Sequence, residues 1–119
     1  SLTIDTEVEH TAIVTDPLLW TAILNNLLGN AVNHAPKGAH VLVEASTDCL
    51  AVSNEAPELE AEDLPHLFER FWRKSEARSE KGHAGLGLAV VAACTERLGG
   101  TCRATLQDQL LRIEIRWNG

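Results

Sequence analysis

The sequence has few cysteines, no long apolar run and no excess of positive charge. Its three cysteines, Cys49, Cys94 and Cys102, are odd in number and lack Cys-X-X-Cys spacing, so neither a disulfide framework nor a zinc site is expected. No apolar run approaches the roughly 18 residues that cross a membrane. The opening residues alternate as a strand does, from Leu2 to Ile4, and do not resemble a signal peptide.

The charge balance is acidic, with 17 acidic against 10 basic residues and a formal net charge of −7. Proteins that grip a phosphate backbone normally carry a basic face, so nucleic acid is not an expected partner. A polyanionic ligand of this chain would need local shielding by a metal ion or a few well-placed cations. The acidic run is interpreted as a solvated face with the bias of a helix N-terminus, and it comprises Glu55, Glu58, Glu60, Glu62 and Asp63.

The 119 residues suit one domain, 1–119, and their periodicity predicts an α+β, two-layer fold with helices on one face of a mixed, mostly antiparallel sheet. Asp16-Pro17 predicts the start of a helix that runs to about His34. A second helix is predicted over 86–98, closed by Gly99-Gly100. Strands are predicted at 40–46, 49–54, 101–106 and 110–117, with one or two more within 1–15.

Residues 55–84 differ from the rest of the chain. They are acidic and then basic, and they have little apolar patterning outside Leu64–Trp72. The stretch is too long for a plain connector, so it is predicted to be a functional or mobile loop that contains one short helix.

The first predicted helix has an apolar face and a row of asparagines. The core face is predicted to consist of Trp20, Ile23, Leu24, Leu27 and Ala31. Asn26, Asn30 and Asn33 follow the border of that face, and no Asp, Glu, Lys or Arg occurs from 17 to 36. Amide oxygens can bind a hard cation, and amide N–H groups can donate to phosphate oxygens. The row is therefore either a polar ligand wall or a set of side chains that cap loops and face water.

A glycine-rich turn, Gly82–Leu88, leads directly into the second predicted helix. Glycines let the backbone approach an anion closely, and a helix N-terminus presents free N–H groups. The turn can serve as a phosphate cradle, or it can be a flexible loop with a helix cap. It is not a Walker loop, because no Gly-Lys-Ser/Thr follows.

Three segments, in this order, resemble the sequence boxes of sensor histidine kinases. Asn26–Ala31 (NLLGNA) resembles their asparagine box, and Leu67–Arg73 (LFERFWR) resembles their phenylalanine box. Gly85–Val91 (GLGLAVV) resembles their second glycine box, and Leu98–Gly100 resembles the turn that follows it. The resemblance covers nearly the whole chain. It implies the GHKL fold, in which a helix layer covers a mixed sheet and ATP lies between the helices under a lid, here at about 55–84.

The resemblance also implies roles for individual residues. Asn30 becomes the magnesium ligand and, with Arg70, part of the catalytic machinery. Asn26 supports the metal or the phosphates, Asn33 continues the same polar wall, and His34 lies near the phosphates or ribose. The remaining nucleotide contacts are implied for Arg73, Gly85, Leu86, Gly87 and Leu88. Phe68, Phe71 and Trp72 are expected to pack the base of the lid on the core.

The first glycine box of the family, DxGxG, is altered in this chain. Asn54 stands where an adenine-binding Asp is usual, and Ala56 and Glu58 replace two glycines. An amide can accept from the adenine amino group, but charge-assisted hydrogen bonds are about twice as strong. His83 also stands in place of a glycine. These changes predict weakened nucleotide binding in the adenine half of the site.

The resemblance implies the ATP-binding catalytic domain of a two-component sensor kinase. It would pass the γ-phosphoryl group of Mg-ATP to a histidine on a separate dimerisation domain, with a response regulator downstream. Because that histidine is absent, the fragment alone is not expected to autophosphorylate. A cytoplasmic domain of an inner-membrane sensor, without membrane contact of its own, is expected.

Two other functions are open. The first is a degenerate regulatory module that keeps the fold but binds ATP weakly or not at all, which Ala56, Glu58 and His83 motivate. The second is an ATPase of the gyrase, mismatch-repair or chaperone kind. Such enzymes carry a water-activating Glu one turn before the metal-binding Asn, and here Asn26 holds that position without a basic carboxylate.

Overall fold

The computed structural model describes residues 3–8, 17–34, 38–46, 48–72 and 87–117. They form a five-stranded sheet in the order β1-β2-β3-β5-β4. The strands are β1 (Thr3–Val8), β2 (His40–Ala45), β3 (Cys49–Glu55), β4 (Thr101–Gln107) and β5 (Leu110–Arg116). β1 runs parallel to β2, and every other neighbouring pair is antiparallel. The prediction of a mixed, mostly antiparallel sheet is confirmed.

Two helices cover one face of this sheet. The first, α1 (Pro17–His34), lies beside the second, α2 (Gly87–Arg97), and the two helices touch β3 and β4 respectively. A short 3₁₀ helix, Ala61–His66, lies in the stretch between β3 and α2. The predicted elements are therefore confirmed to within one or two residues at their ends. No helix in the described ranges is long and apolar enough to cross a bilayer.

The core lies between the helices and alternate residues of the strands. On β5 the buried side chains are Leu111, Ile113 and Ile115, as the alternation predicts. They face the apolar stripe of α1, which is centred on Ile23 and Leu27. These residues define the helix-covered face of the sheet, and the residues between them define the helix-free face.

Two side chains depart from the predicted core. Leu24 was expected on the core face of α1 but is 36% exposed, because it lies about 100° around the helix from Ile23. Asp63, expected on a solvated face, is buried, and its Oδ2 accepts from the Glu60 N–H at 2.9 Å. That bond belongs to a capping box at the start of the 3₁₀ helix, so the predicted helix N-terminal bias is confirmed while full solvation is wrong.

The β4–β5 hairpin closes through Asp108 and Gln109, which both adopt positive φ, at 51° and 67°. Two consecutive left-handed residues form the turn type whose twist matches a two-residue hairpin. The Gln109 carbonyl accepts from the Ala56 N–H at 2.8 Å. The turn therefore fixes the backbone that follows β3, where the altered first glycine box begins.

An ionic ladder crosses the helix-free face. Arg112 Nη1 lies 2.6 Å from Glu44 Oε1, and Arg116 Nη2 lies 2.8 Å from Glu114 Oε1. The Cys49 thiol also donates to Glu114 Oε1, at 3.4 Å. Burial alone would raise the pKa of Glu114, but the Cys49 thiol and the Arg116 and Arg112 charges outweigh burial and hold that pKa below its ordinary value. Burial, followed by the Glu114 contact, raises the pKa of Cys49, so this thiol is expected to stay protonated.

The lowered pKa of Glu114 predicts an acid-sensitive contribution to stability. The Glu114 carboxylate binds a proton more weakly in the folded chain than in the unfolded chain. Its contribution to the free energy of unfolding is therefore complete above the ordinary carboxyl pKa, and it is lost as the pH falls through the lowered pKa of the folded chain. We expect Glu114→Gln to flatten the dependence of unfolding free energy on pH below about 4.5, measured by urea titration. The exposed Glu96→Gln is the matched control. Equal slopes for Glu114→Gln and the unmodified chain would contradict the assignment.

Candidate functional site

The candidate site lies where α1 meets the N-terminus of α2. A Cβ added to Gly87, the first residue of α2, would lie 3.3 Å from Asn26 Oδ1 and 3.9 Å from the Asn26 carbonyl oxygen. A side chain at this position would require Asn26 to move by a few tenths of an ångström. The asparagine box and the second glycine box, 61 residues apart in sequence, thus lie side by side.

Hydrogen bonds to the helix backbone orient the outer asparagines of α1. Asn26 Nδ2 donates to the Ala22 carbonyl at 2.7 Å, and Asn33 Nδ2 donates to the Gly29 carbonyl at 2.9 Å. Each amide therefore bonds back to the preceding turn through its nitrogen, which directs its oxygen away from that turn. For Asn26, that oxygen is the atom nearest to the place of a Cβ added to Gly87.

Asn30, between these two, is 6% exposed. Its side chain forms no hydrogen bond or ion pair with any residue in the described part of the chain. It is buried more deeply than the predicted border position, because it lies about 20° from Ile23 around the helix. The amide keeps access to solvent although the residue is nearly enclosed, so it can bind a ligand without breaking a bond to the protein.

The side chains of α1 suit a hard cation that takes only some of its ligands from the protein and the others from water and bound phosphate. The described residues contain no group of three or more His, Cys, Asp or Glu side chains that could hold a metal. The oxygens available from α1 are amide oxygens, which suit magnesium, an ion that usually retains waters and substrate phosphates among its ligands. Asn30, unpaired, fits such a role.

Asn54 occupies the sheet side of the site. It is 1% exposed, and its register partners Val41 and Leu111 place it on the helix-covered face. Its Nδ2 donates to the Glu55 carbonyl at 3.0 Å, and its Oδ1 accepts no hydrogen bond from the described residues. Asn54 therefore offers an acceptor towards the helix layer.

The altered glycine positions after Asn54 adopt an unstrained backbone. Ala56 is fully buried in the core, and its carbonyl accepts from the Leu59 N–H at 3.0 Å. In the described ranges, the non-glycine residues with positive φ are Phe71, Asp108 and Gln109, which include neither Ala56 nor Glu58. The backbone cost that the lost glycines suggested is therefore absent.

The phenylalanine box divides between the core and the surface. Phe68 and Trp72 are partly buried and pack against the core, as predicted, whereas Phe71 is 67% exposed with φ 66°. The prediction that Phe71 packs on the core is wrong, because the left-handed turn directs it outwards. Arg70 is exposed and forms no hydrogen bond or ion pair in the described part, so nothing joins it to the asparagine row.

Several predicted site residues cannot be placed. Arg73, His83, Gly85 and Leu86 lie outside the described residues, as does the side chain of His34, which ends α1. Leu88 is described and is 7% exposed, with its side chain in the core. Its contribution to a ligand site would therefore come from its backbone.

One contact that shapes the site had no signal in the sequence. The bond between the Gln109 carbonyl and the Ala56 N–H joins a hairpin turn to the segment after Asn54. Any residue type can supply a carbonyl, so only the fold reveals this partner. The left-handed conformation of Gln109 was also hidden, because glycine or asparagine is the usual signal for it.

Comparisons with known proteins give relatives in sequence and in structure. Residues 15–117 match the family model described as histidine kinase-, DNA gyrase B-, and HSP90-like ATPase. The chain is 40% identical over 92 residues to sensor protein IrlS of Burkholderia pseudomallei, covering 73% of this chain and 20% of IrlS. It is 37% identical over 105 residues to sensor histidine kinase CusS of Escherichia coli, covering 84% of this chain and 22% of CusS.

Among solved structures, the mycobacterial sensor histidine kinase MprB superposes with a TM-score of 0.80 at 24% identity. The alignment covers 96% of this chain and 79% of that structure, and it bears on the fold alone. The chain spans about a fifth of the length of the curated relatives it matches.

Proposed function

The chain belongs to the family of histidine kinase-, DNA gyrase B- and HSP90-like ATPases, and from this premise we propose that it binds Mg-ATP between α1 and α2. We further propose that it passes the γ-phosphoryl group to a histidine on a separate dimerisation domain. The family supplies the expectation of ATP, and the resemblance to sensor histidine kinases is confirmed by the relatives. Magnesium and the transfer step belong to the proposal.

The observation that carries the proposal is the unpaired amide of Asn30. Asn30 is nearly buried on α1, one turn from Asn26, whose oxygen lies 3.3 Å from the place of a Cβ added to Gly87. A side chain that is so enclosed and whose amide has no partner among the described residues is available to a ligand. A helix N-terminus favours an anion, and the one at Gly87 lies next to Asn26.

Each residue has a distinct part in the proposed chemistry. Asn30 would ligate the magnesium ion, with Asn26 in support, and magnesium when bound would neutralise charge on the phosphates. The backbone N–H groups at Gly87 and Leu88 would orient the phosphates, and Asn54 would accept from the adenine amino group. Arg70, an exposed cation, would offset charge on the transferred group. Catalysis of this kind rests on positioning and charge stabilisation rather than on a protein nucleophile.

The proposed partners follow from the relatives. CusS is a sensor histidine kinase, and this chain covers only 22% of it, so the rest of such a protein lies beyond the matched region. We place a dimerisation domain with the acceptor histidine, and a downstream response regulator, in that larger system. Nucleic acid is not proposed, in keeping with the net charge of −7. A cytoplasmic location stays a prediction.

The regulatory-module alternative loses part of its motivation. It rested on strain and crowding from Ala56 and Glu58, yet Ala56 fills the core and neither residue has positive φ. The gyrase-type ATPase alternative still lacks a carboxylate at Asn26. Steady release of phosphate by the isolated chain would revive it.

Calorimetric titration of the 119-residue chain with Mg-ADP tests the proposed site. We expect saturable heat that weakens when EDTA removes magnesium, because the metal shields the diphosphate in an acidic protein. Nucleotide at about 100 times its Kd should also stabilise the fold by about 2.7 kcal/mol in a thermal melt. Absence of both heat and thermal shift at about millimolar nucleotide would favour the regulatory module instead.

A further inference from the structure

The helix-free face of the sheet carries a groove that the proposed nucleotide site does not use. Its volume is about 390 Å³. It lies at the end of the sheet where β2 begins, just after Gly38, and where β5 begins at Leu110. The lining side chains that bear on its chemistry are His40, Leu42, Ser53, Glu55 and Leu110. Asn54, between Ser53 and Glu55, points to the opposite face, so the groove and the ATP site are separated by the sheet.

The floor of the groove carries a hydroxyl that is open to it. Ser53 is 4% exposed as a residue, and its hydroxyl forms no hydrogen bond with any residue that the structure describes. Because this oxygen is not enclosed, it can donate one hydrogen bond and accept two from a molecule in the groove. Ser53 lines the groove, which makes a polar ligand group the natural partner for this hydroxyl.

The rim of the groove carries an unpaired negative charge. Glu55 is exposed, and its carboxylate makes no hydrogen bond or ion pair within the described ranges. Because Ser53 and Glu55 are two residues apart on one strand, they lie about 7 Å apart on the same face. The cation opposite Ser53 in the sheet register, Arg112, is already bonded to Glu44 at 2.6 Å. Arg112 is therefore not available as a partner for the Glu55 carboxylate.

The apolar walls complement a cation on an aliphatic stem. Leu42 is half-buried, and Leu110 is 45% exposed at the opposite side of the groove. Long basic side chains lay their methylene stems on such surfaces while the charged head reaches polar groups. A guanidinium is planar, weakly hydrated and rich in donors, and it can bond a carboxylate and a neighbouring hydroxyl together.

We propose that this groove, built on Ser53 and Glu55, binds an arginine side chain of a partner protein. The head group would donate to the Glu55 carboxylate and the Ser53 hydroxyl, and the stem would pack between Leu42 and Leu110. The net charge of −7 favours the approach of a basic partner over an acidic one. The site is independent of nucleotide, because it lies on the other face of the sheet.

Amide-resolved NMR titration of the ¹⁵N-labelled 119-residue chain tests the site. The probe is acetyl-Gly-Arg-Gly-amide, and the matched neutral probe replaces arginine with citrulline. We expect the arginine probe to shift the amides of Leu42, Ser53 and Leu110 saturably and the citrulline probe to leave them in place. Glu55→Gln should weaken the arginine probe about tenfold, and Ser53→Ala about threefold.

Controls separate this site from general surface charge and from the nucleotide site. Glu96→Gln removes another exposed carboxylate, on α2, and should leave the arginine affinity unchanged. Asn30→Ala should also leave it unchanged, so failure of the nucleotide proposal would not affect this result. Equal shifts from both probes, no shifts at the groove, binding of an acetyl-Gly-Glu-Gly-amide probe instead, or full affinity in Glu55→Gln would each overturn the proposal.

Discussion

Replacement of Asn30 by alanine is expected to abolish phosphohistidine formation on an added cognate dimerisation domain, with a loss of at least about a hundredfold. The reason is that Asn30 is the proposed magnesium ligand, and its nearly buried amide has no partner among the described residues. Asn30→Asp keeps an oxygen ligand but adds a negative charge and removes the N–H donors, so it should also abolish labelling. The measurement is transfer of radiolabel from [γ-³²P]ATP in the presence of magnesium.

The fold should survive this change, which makes the result interpretable. Asn30 makes no hydrogen bond in the described part of the chain, so alanine removes an uncompensated polar group and improves helix propensity. We expect the Tm of Asn30→Ala to equal or exceed that of the unmodified chain. Asn25→Ala, an exposed amide on the same helix, is the matched control and should label normally. Undiminished labelling by Asn30→Ala would refute the metal role.

Gly100→Ala is expected to destabilise the domain by about 3 kcal/mol, the largest stability effect of any single methyl addition considered. A Cβ at this position would lie 2.4 Å from the Arg116 carbonyl oxygen and 3.3 Å from Thr95 Cγ2. The first of these atoms belongs to the backbone of β5, which is paired with β4 along its whole length and cannot retreat cheaply. Urea unfolding should show the loss, and a thermal melt should show a Tm lower by roughly 10 °C.

The neighbouring glycine supplies the control for Gly100. Gly99 has φ +79°, and no atom lies within 4 Å of an added Cβ. Gly99→Ala therefore meets only the backbone cost of the left-handed conformation, about 1 kcal/mol. A larger loss for Gly99→Ala than for Gly100→Ala would show that backbone conformation, rather than close approach of the strand, governs this turn.

The sequence is informative where one local pattern decides the structure. Capping sets the start of α1 at Pro17, and the two-residue period sets which side chains of β5 are buried. Chain reversal at Gly99 ends α2. All three features were predicted. The resemblance implied that the asparagine box and the second glycine box face one ligand between the helices, and the structure brings Asn26 close to Gly87. Each of these features depends on residue types whose order along the chain is typical of few other local structures.

Some features that escaped prediction concern the burial of single side chains. Asn30 is buried more deeply than a border position because it lies about 20° from Ile23 around α1, and its polar side chain had suggested the border instead. Asp63 is buried because it returns a hydrogen bond to Glu60, which a count of acidic residues treats as surface charge. Phe71 points outwards because of its backbone angle rather than its hydrophobicity. The roles of the site residues stay predictions.

The bond from the Asn54 amide nitrogen to the Glu55 carbonyl has a consequence for the choice of purine. An asparagine can present either its oxygen or its N–H groups to a base. The oxygen accepts from the amino group of adenine, and the N–H groups donate to the oxo group of guanine. Here one of the two amide N–H groups donates within the strand, while the oxygen accepts nothing from the described residues. The oxygen is therefore the more available end of this side chain, which suits the adenine amino group better than the guanine oxo group.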